Sequence, residues 1–170
     1  MITKILIANR GEIAVRIIRA CKEMGITSVA IYSNADRHAL HVKKADESYF
    51  IGRDPLSGYL NGHWIANVAV TAGCDGVHPG YGFLSENSNF AAICKKRGLH
   101  FIGPSSEVIK KMGDKIEARK SMIKAGVPVI PGSEGNVKDL AEAVKISKDI
   151  GFPVMIKATN GGGGRGIRRC

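Results

Sequence analysis

The sequence has one tryptophan, 6% aromatic residues and four cysteines in 170 residues, and each scarcity narrows the possibilities. Sparse aromatics argue against a nucleic-acid surface, where bases stack on exposed rings between clustered basic residues. Here the lysines and arginines are spread along the chain. Cys21, Cys74, Cys94 and Cys170 show no CxxC spacing and no paired histidine motif, which argues against a zinc site or a disulfide framework. The first three sit in apolar surroundings and read as buried reduced thiols. No apolar run approaches the roughly 20 residues of a membrane span. The opening MITKILIANRGE carries Lys4 and turns polar at Asn9, unlike a secretory signal. A cytoplasmic protein with no membrane and no nucleic-acid partner is the expectation. Acid is scarce too. With 25 basic and 15 acidic residues the net charge is +10, which favours anionic partners such as nucleotides and acidic metabolites.

What is present is a regular alternation of short apolar runs and helical patterns. Ile5 to Ala8 reads as a buried strand and Asn9-Arg10-Gly11 as a turn. Glu12 to Met24 reads as a helix, because Ile13, Ile17 and Cys21 recur every four residues, and Gly25 ends it. Strands follow at Ser28–Tyr32, Ser48–Ile51, Gly76–His78 and His100–Ile102, with helices over Trp64–Thr71 and Phe90–Arg97. This repeated β-α-β order predicts an α/β fold: a Rossmann-like parallel sheet with helices on both faces, its ligands off the carboxyl ends of the strands. After Gly103-Pro104 the pattern changes. A polar helical stretch runs from Glu107 to Lys124, broken near Gly113. A Gly- and Pro-rich passage, a helix over Val137–Ile150 and a strand at Pro153–Lys157 follow. The expected domains are residues 1–110 and 111–170.

The run Gly161 to Gly164 follows that last strand. Glycine has no Cβ, so successive backbone N–H groups can turn toward one anion and approach it closely. The loop lacks the GxxxxGK[ST] pattern of a Walker A motif, and no GxGxxG opens the chain. Lys157 would add a point charge for a phosphate. On the loop alone, a phosphate cradle and a solvated surface hairpin are both open. The stretch HPGYGFLSEN at 78–87, a strand-end loop with two glycines and two aromatics, reads as a site wall. A tight turn with a structural His78 is the alternative. Arg16, Arg19 and Glu23 share one face of the first helix and read as a solvated charged face. Asp36 stands where a dinucleotide fold places its ribose-binding acid, but the missing phosphate fingerprint argues against that role.

The segments ILIANRGEIAVRIIRA, HPGYGFLSEN, FIGPS, MGDK, AGVPVIPG and IKATNGGGGRGI, in this order and at these spacings, resemble the N-terminal part of a biotin carboxylase of the ATP-grasp superfamily. The wording of PLSGYLN and IRRC is most similar to the biotin-carboxylase subunit of two-subunit pyruvate carboxylases, with the acetyl-CoA carboxylase subunit also open. The resemblance implies a Rossmann-like N-terminal domain followed by the truncated start of an ATP-grasp domain, inside a module more than twice this length. It implies ATP- and bicarbonate-dependent carboxylation of biotin by way of carboxyphosphate, with Mg2+ on the ATP phosphates. Partners would be a biotin carrier protein or domain, a carboxyltransferase subunit and a second copy in a homodimer.

Residue by residue, the resemblance gives Lys115, Lys157, Gly161, Gly162, Gly163, Gly164 and Ile167 to ATP. It places His78, Tyr81, Gly82 and Phe83 at the wall of the biotin pocket, and Arg16, Arg19 and Glu23 at the dimer contact. The catalytic residues and metal ligands would lie downstream, so these 170 residues alone would be inactive. Another ATP-grasp ligase and a non-catalytic nucleotide-binding or dimerisation module are the alternatives.

Overall fold

A computed structural model describes residues 1–133, 135–158 and 166–170. The chain divides into two units, Met1–Lys110 and Lys111–Cys170. The first contains β1 (Lys4–Ile7), α1 (Gly11–Glu23), β2 (Thr27–Ser33), a 3-10 turn at Asn34–Asp36 and α2 (Leu40–Lys44). It continues with β3 (Glu47–Gly52), α3 (Pro55–Tyr59), α4 (Gly62–Thr71), β4 (Gly76–His78), α5 (Ser88–Lys96) and β5 (His100–Phe101). The helix α6 (Ser106–Gly113) crosses into the second unit, which holds α7 (Lys115–Lys124), α8 (Leu140–Ile150), β6 (Met155–Lys157) and β7 (Ile167–Arg169).

In the first unit five parallel strands form a sheet in the order β3-β2-β1-β4-β5. The expected α/β parallel sheet is therefore present. Successive side chains of a strand point to opposite faces, and β1 shows the consequence. Ile5 and Ile7 pack with Ala14, Ile17, Ile18 and Cys21 of α1. Leu6 and Ala8 join the opposite core of Val29, Ile31, Tyr59, Ile65, Val77 and Phe90. Both faces are covered, which is why β1 reads as an unbroken apolar run. Each fully buried leucine or isoleucine here contributes about 1.5–3 kcal/mol.

The amino ends of the strands are fastened by carboxylates. Asp75 accepts from Thr3 N, Thr3 Oγ1 and Lys4 N at 2.6, 2.7 and 2.9 Å. These bonds, that from the Thr3 hydroxyl foremost, hold its pKa at about 2. Asp46 accepts from Ser28 N and Oγ at 2.8 and 2.6 Å. The cysteines are all free; Cys21, Cys74 and Cys94 are buried, and burial pushes Cys74 and Cys94 up to about 11.

Three elements differ from the sequence reading. The five-residue helices α2 and α3 carry too few turns to show a period. The polar stretch after Gly103 does break near Gly113, as expected, because Asp114 leaves helical geometry and its side chain accepts from Ile116 N and Glu117 N to start α7. The helix expected from Val137 begins at Leu140, since Asp139 caps it through Glu142 N while Glu142 accepts from Lys138 N. In the second unit β6 and β7 pair antiparallel, with Lys157 opposite Ile167. Among the described residues no helix is long and apolar enough to cross a membrane.

Candidate functional site

The sheet order places the crevice. Strand β1 pairs with β2 on one side and β4 on the other, so the winding of the chain reverses between β1 and β4. Open parallel sheets bind ligands outside the carboxyl ends of the strands at this switch point. Two segments emerge there: Asn9-Arg10, leading into α1, and Pro79 to Asn87, leading into α5. They are joined where Ala8 N donates to His78 O at 2.9 Å.

Asn9 is fully buried and its carboxamide is satisfied within these segments. Nδ2 donates to Pro79 O at 2.8 Å and to Tyr81 O at 3.0 Å, and Oδ1 accepts from Arg10 N at 2.9 Å. Gly80 sits directly against it with φ +66°, and a Cβ at this position would lie 2.7 Å from Ile13 Cγ2 and 2.8 Å from Asn9 Nδ2. No larger residue fits that approach. His78 Nδ1 accepts from Gly80 N at 3.0 Å, and burial lowers the pKa of His78. Its imidazole is thus engaged by the turn it precedes. Tyr81 is 60% exposed and its hydroxyl donates to Glu12 Oε1 at 3.1 Å. Gly82 has φ +71°, and Phe83 has φ +44°, the one non-glycine in the left-handed region among the described residues. Such a backbone costs about 1–2 kcal/mol outside glycine. The Phe83 ring stacks on Tyr59 at a centroid distance of 5.4 Å and 13° between planes.

Beneath Phe83 lies a polar cluster that the sequence reading does not assemble. The Arg10 guanidinium grips both oxygens of Asp36, with Nε to Oδ2 at 2.7 Å, and lies 5.9 Å from the centre of the Tyr59 ring. The buried Tyr59 donates toward Asp36 Oδ2 at 2.9 Å and Ile31 O at 3.2 Å. The bond from Arg10 holds Asp36 below the usual carboxylate range, while burial and Asp36 together push the Tyr59 phenol up. His41, fully buried, receives Gly11 N on Nδ1 and faces Ile31 O with Nε2, both at 3.3 Å. That pattern fits the neutral Nε2–H form, and burial lowers its pKa. Asp36 therefore serves Arg10 and Tyr59, in keeping with the rejection of a ribose role. The available signal was NRG placed at the end of the first strand, which reads on its own only as a turn.

The proposed nucleotide residues fall in the second unit. Lys115 opens α7, and its Nζ donates to Ala158 O at 3.2 Å, next to Lys157 at the end of β6. Ala158 N donates to Gly166 O at 2.9 Å, which continues the β6-β7 pairing. Lys115, Lys157 and Ile167 are thus gathered around one pair of strand ends. Gly161, Gly162, Gly163 and Gly164 lie outside the described residues. Among the described residues no group of three or more His, Cys, Asp and Glu side chains is placed to hold a metal. Arg16, Arg19 and Glu23 are exposed on α1, opposite its buried Ile17, Ile18 and Cys21. Asn87 caps α5, its side-chain oxygen accepting from Phe90 N at 2.9 Å.

The first unit is thus a doubly covered parallel α/β domain whose switch point is filled by an ordered aromatic-glycine loop. The chain belongs to the biotin carboxylase N-terminal domain family, whose profile matches residues 1–109. Residues 114–170 match the ATP binding domain of the carbamoyl-phosphate synthase L chain. The 2-oxoglutarate carboxylase small subunit of Hydrogenobacter thermophilus is 55% identical over 170 residues, covering 100% of this chain and 36% of that protein. The crystal structure of its biotin carboxylase domain dimer with MgADP, ADP and bicarbonate superposes with a TM-score of 0.92, over 100% of this chain and 38% of that one. The biotin carboxylase subunit of a pyruvate carboxylase is 59% identical with a TM-score of 0.79, again over 100% and 38%. The chain spans a little over a third of the length of these relatives.

Proposed function

We propose that the chain supplies the N-terminal domain and the start of the ATP-binding unit of a biotin carboxylase. In this reading the enzyme is an ATP-dependent ligase of the cytoplasm that carboxylates biotin on a carrier protein or domain, using bicarbonate activated as carboxyphosphate. The observation that carries it is the ordered Tyr81-Gly82-Phe83 loop at the β1/β4 switch point, in a chain whose second unit sets Lys115 beside Lys157. Tyr81 and Phe83 present exposed ring surface, suited to a flat heterocycle such as the biotin ureido ring. Lys115 and Lys157 would neutralise phosphate oxygens of ATP, with Gly161 to Gly164 supplying backbone N–H groups and Ile167 an apolar contact for the base. Phosphoryl transfer is governed largely by such positioning and charge neutralisation. Two lysines at one pair of strand ends fit a triphosphate. No role for Mg2+ is assigned to the described residues.

The homodimer would use the α1 face bearing Arg16, Arg19 and Glu23. The relative solved as a dimer supports that assembly. Pyruvate is the acceptor we assign to the associated carboxyltransferase subunit, on the 59% identity to the pyruvate carboxylase relative. The 55% identity to 2-oxoglutarate carboxylase makes 2-oxoglutarate the second reading.

The test follows ADP release by the intact protein carrying this chain, with ATP, magnesium and bicarbonate, in the presence and absence of free biotin. Release that rises with biotin is expected. Bicarbonate-dependent release that ignores biotin would indicate another ATP-grasp ligase, and no release would favour a binding module. Adding the partner subunit with pyruvate or 2-oxoglutarate then separates the two acceptors.

A further inference from the structure

We infer that Asn9 and Tyr59 are positioning residues that clamp the 79–83 loop at two points, Asn9 through the loop backbone and Tyr59 through the ring of Phe83. The assignment of this loop to biotin rests on the function proposed above; the clamp itself does not.

The loop leaves β4 and must hold three consecutive residues in defined places: Tyr81 and Phe83 with exposed rings, and Gly82 between them at φ +71°. A free loop of this composition would sample many conformers, and each exposed aromatic would swing with it. Beside the bond from the Tyr81 hydroxyl to Glu12 Oε1, two contacts hold the loop backbone and the Phe83 ring. On one side the buried carboxamide of Asn9 donates to Pro79 O at 2.8 Å and Tyr81 O at 3.0 Å, so the backbone on both sides of Gly80 is tied to one rigid group. Asn9 cannot turn away, because its own oxygen is taken by Arg10 N at 2.9 Å. On the other side the stack of Tyr59 on Phe83 stabilises a backbone conformation that phenylalanine rarely adopts. Strained geometry of this kind persists only where the surroundings over-determine it.

Tyr59 is itself fixed. It is fully buried, its hydroxyl is within reach of Asp36 Oδ2 and Ile31 O, and the guanidinium of Arg10 bridges Asp36 and the Tyr59 ring. The adjacent residues Asn9 and Arg10, at the end of the central strand, thus reach the two ends of one loop by separate routes. A core role alone would not require either route to terminate on the loop.

Two measurements on the intact protein test this. Hydrogen exchange compares amides of 79–83 with those of β1 and β2. Asn9→Leu, which keeps the shape and removes the donors, should speed exchange of the loop at least about tenfold while the strands stay protected. Tyr59→Leu should do the same, and Tyr59→Phe, which retains the stack, should recover most of the protection. In the biotin-stimulated reaction Asn9→Leu and Tyr59→Leu should raise KM for biotin about tenfold with KM for ATP unchanged, as expected when a contact surface is misplaced by a fraction of its size. Unchanged loop exchange, or equal acceleration in loop and strands, overturns the clamp. A KM for ATP that rises in step with that for biotin overturns the positioning role. If Asn9→Leu does not fold, Tyr59→Leu against Tyr59→Phe makes the same comparison. If the unsubstituted protein shows no response to biotin, the proposed reaction fails, and the exchange result still decides the clamp.

Discussion

The two units use the same alphabet of amphipathic helices and short strands and reach opposite outcomes. Met1–Lys110 buries residues from every strand of its sheet except the short β5, whereas no described residue of Lys111–Cys170 is buried. In the first unit the apolar period of α1 is met by Ile5 and Ile7, and burial follows. In the second, α8 carries a comparable apolar face, yet Leu140 is 79% exposed and Val144 42%. Strand β6 likewise leaves Met155 and Ile156 exposed. Local structure there rests on caps at Asp114 and Asp139 and on the β6-β7 pairing. An apolar pattern therefore forecasts that an element exists; burial needs a partner that the same residues do not specify.

The comparison breaks most readily at the core. Phe90→Ala should cost about 3–5 kcal/mol in denaturant unfolding of the first unit, because the ring is buried and meets Phe101 edge-on at 5.9 Å. A loss below 1 kcal/mol, on the order expected of a surface site, would mean the two units are held alike. Next comes Gly80→Ala, where the added carbon meets Ile13 and Asn9 at a positive φ. It should lower stability by about 1–3 kcal/mol and loosen the loop, read by thermal unfolding together with exchange at 79–83.

Acid sharpens the contrast. Burial lowers the pKa of His41 in the fold below its unfolded value of about 6.5. Its stabilisation is therefore present above that pH and is lost as pH falls through the folded value. Between pH 7 and 5 the first unit should lose up to about 1.4 kcal/mol per pH unit from this group, with His78 adding the same sign. The second unit has no histidine and should show no such slope. His41→Asn should flatten the slope in urea titrations at stepped pH. Asp139→Ala should cost about 1 kcal/mol locally, seen as faster exchange at the start of α8. Smallest, Leu140→Ala should change stability by less than about 0.5 kcal/mol. A cost comparable to Phe90→Ala would show that α8 is packed in solution.

Most of the sheet was legible from sequence because β1, β2 and β4 are buried on both faces and so appear as plain apolar runs, while α1 shows its period through thirteen residues. The loop at 78–87 was legible as a wall from its glycines and aromatics. The groups that fix it were not. The pair Asn9-Arg10 is far in sequence from Asp36 and Tyr59, and only the β3-β2-β1-β4 order brings the ends of β1, β2 and β4 together. Asn9-Arg10 read as a turn because polar residues after a strand ordinarily meet water. Here Asn9 is sealed by Pro79 and Tyr81, which follow some seventy residues later.

That same separation sets a schedule for synthesis. Strand β1 is complete at Ile7 and can pair with β2 once Ser33 has been added, but its second neighbour, β4, ends at His78. At roughly 5–20 residues per second, the growing chain carries one open edge of the apolar strand ILIA for several seconds. Through that interval β1 presents an unpaired apolar edge, the kind of edge on which chains associate. Codon usage between 34 and 78 is therefore a parameter of folding yield for this domain, and slowing translation there should increase aggregation.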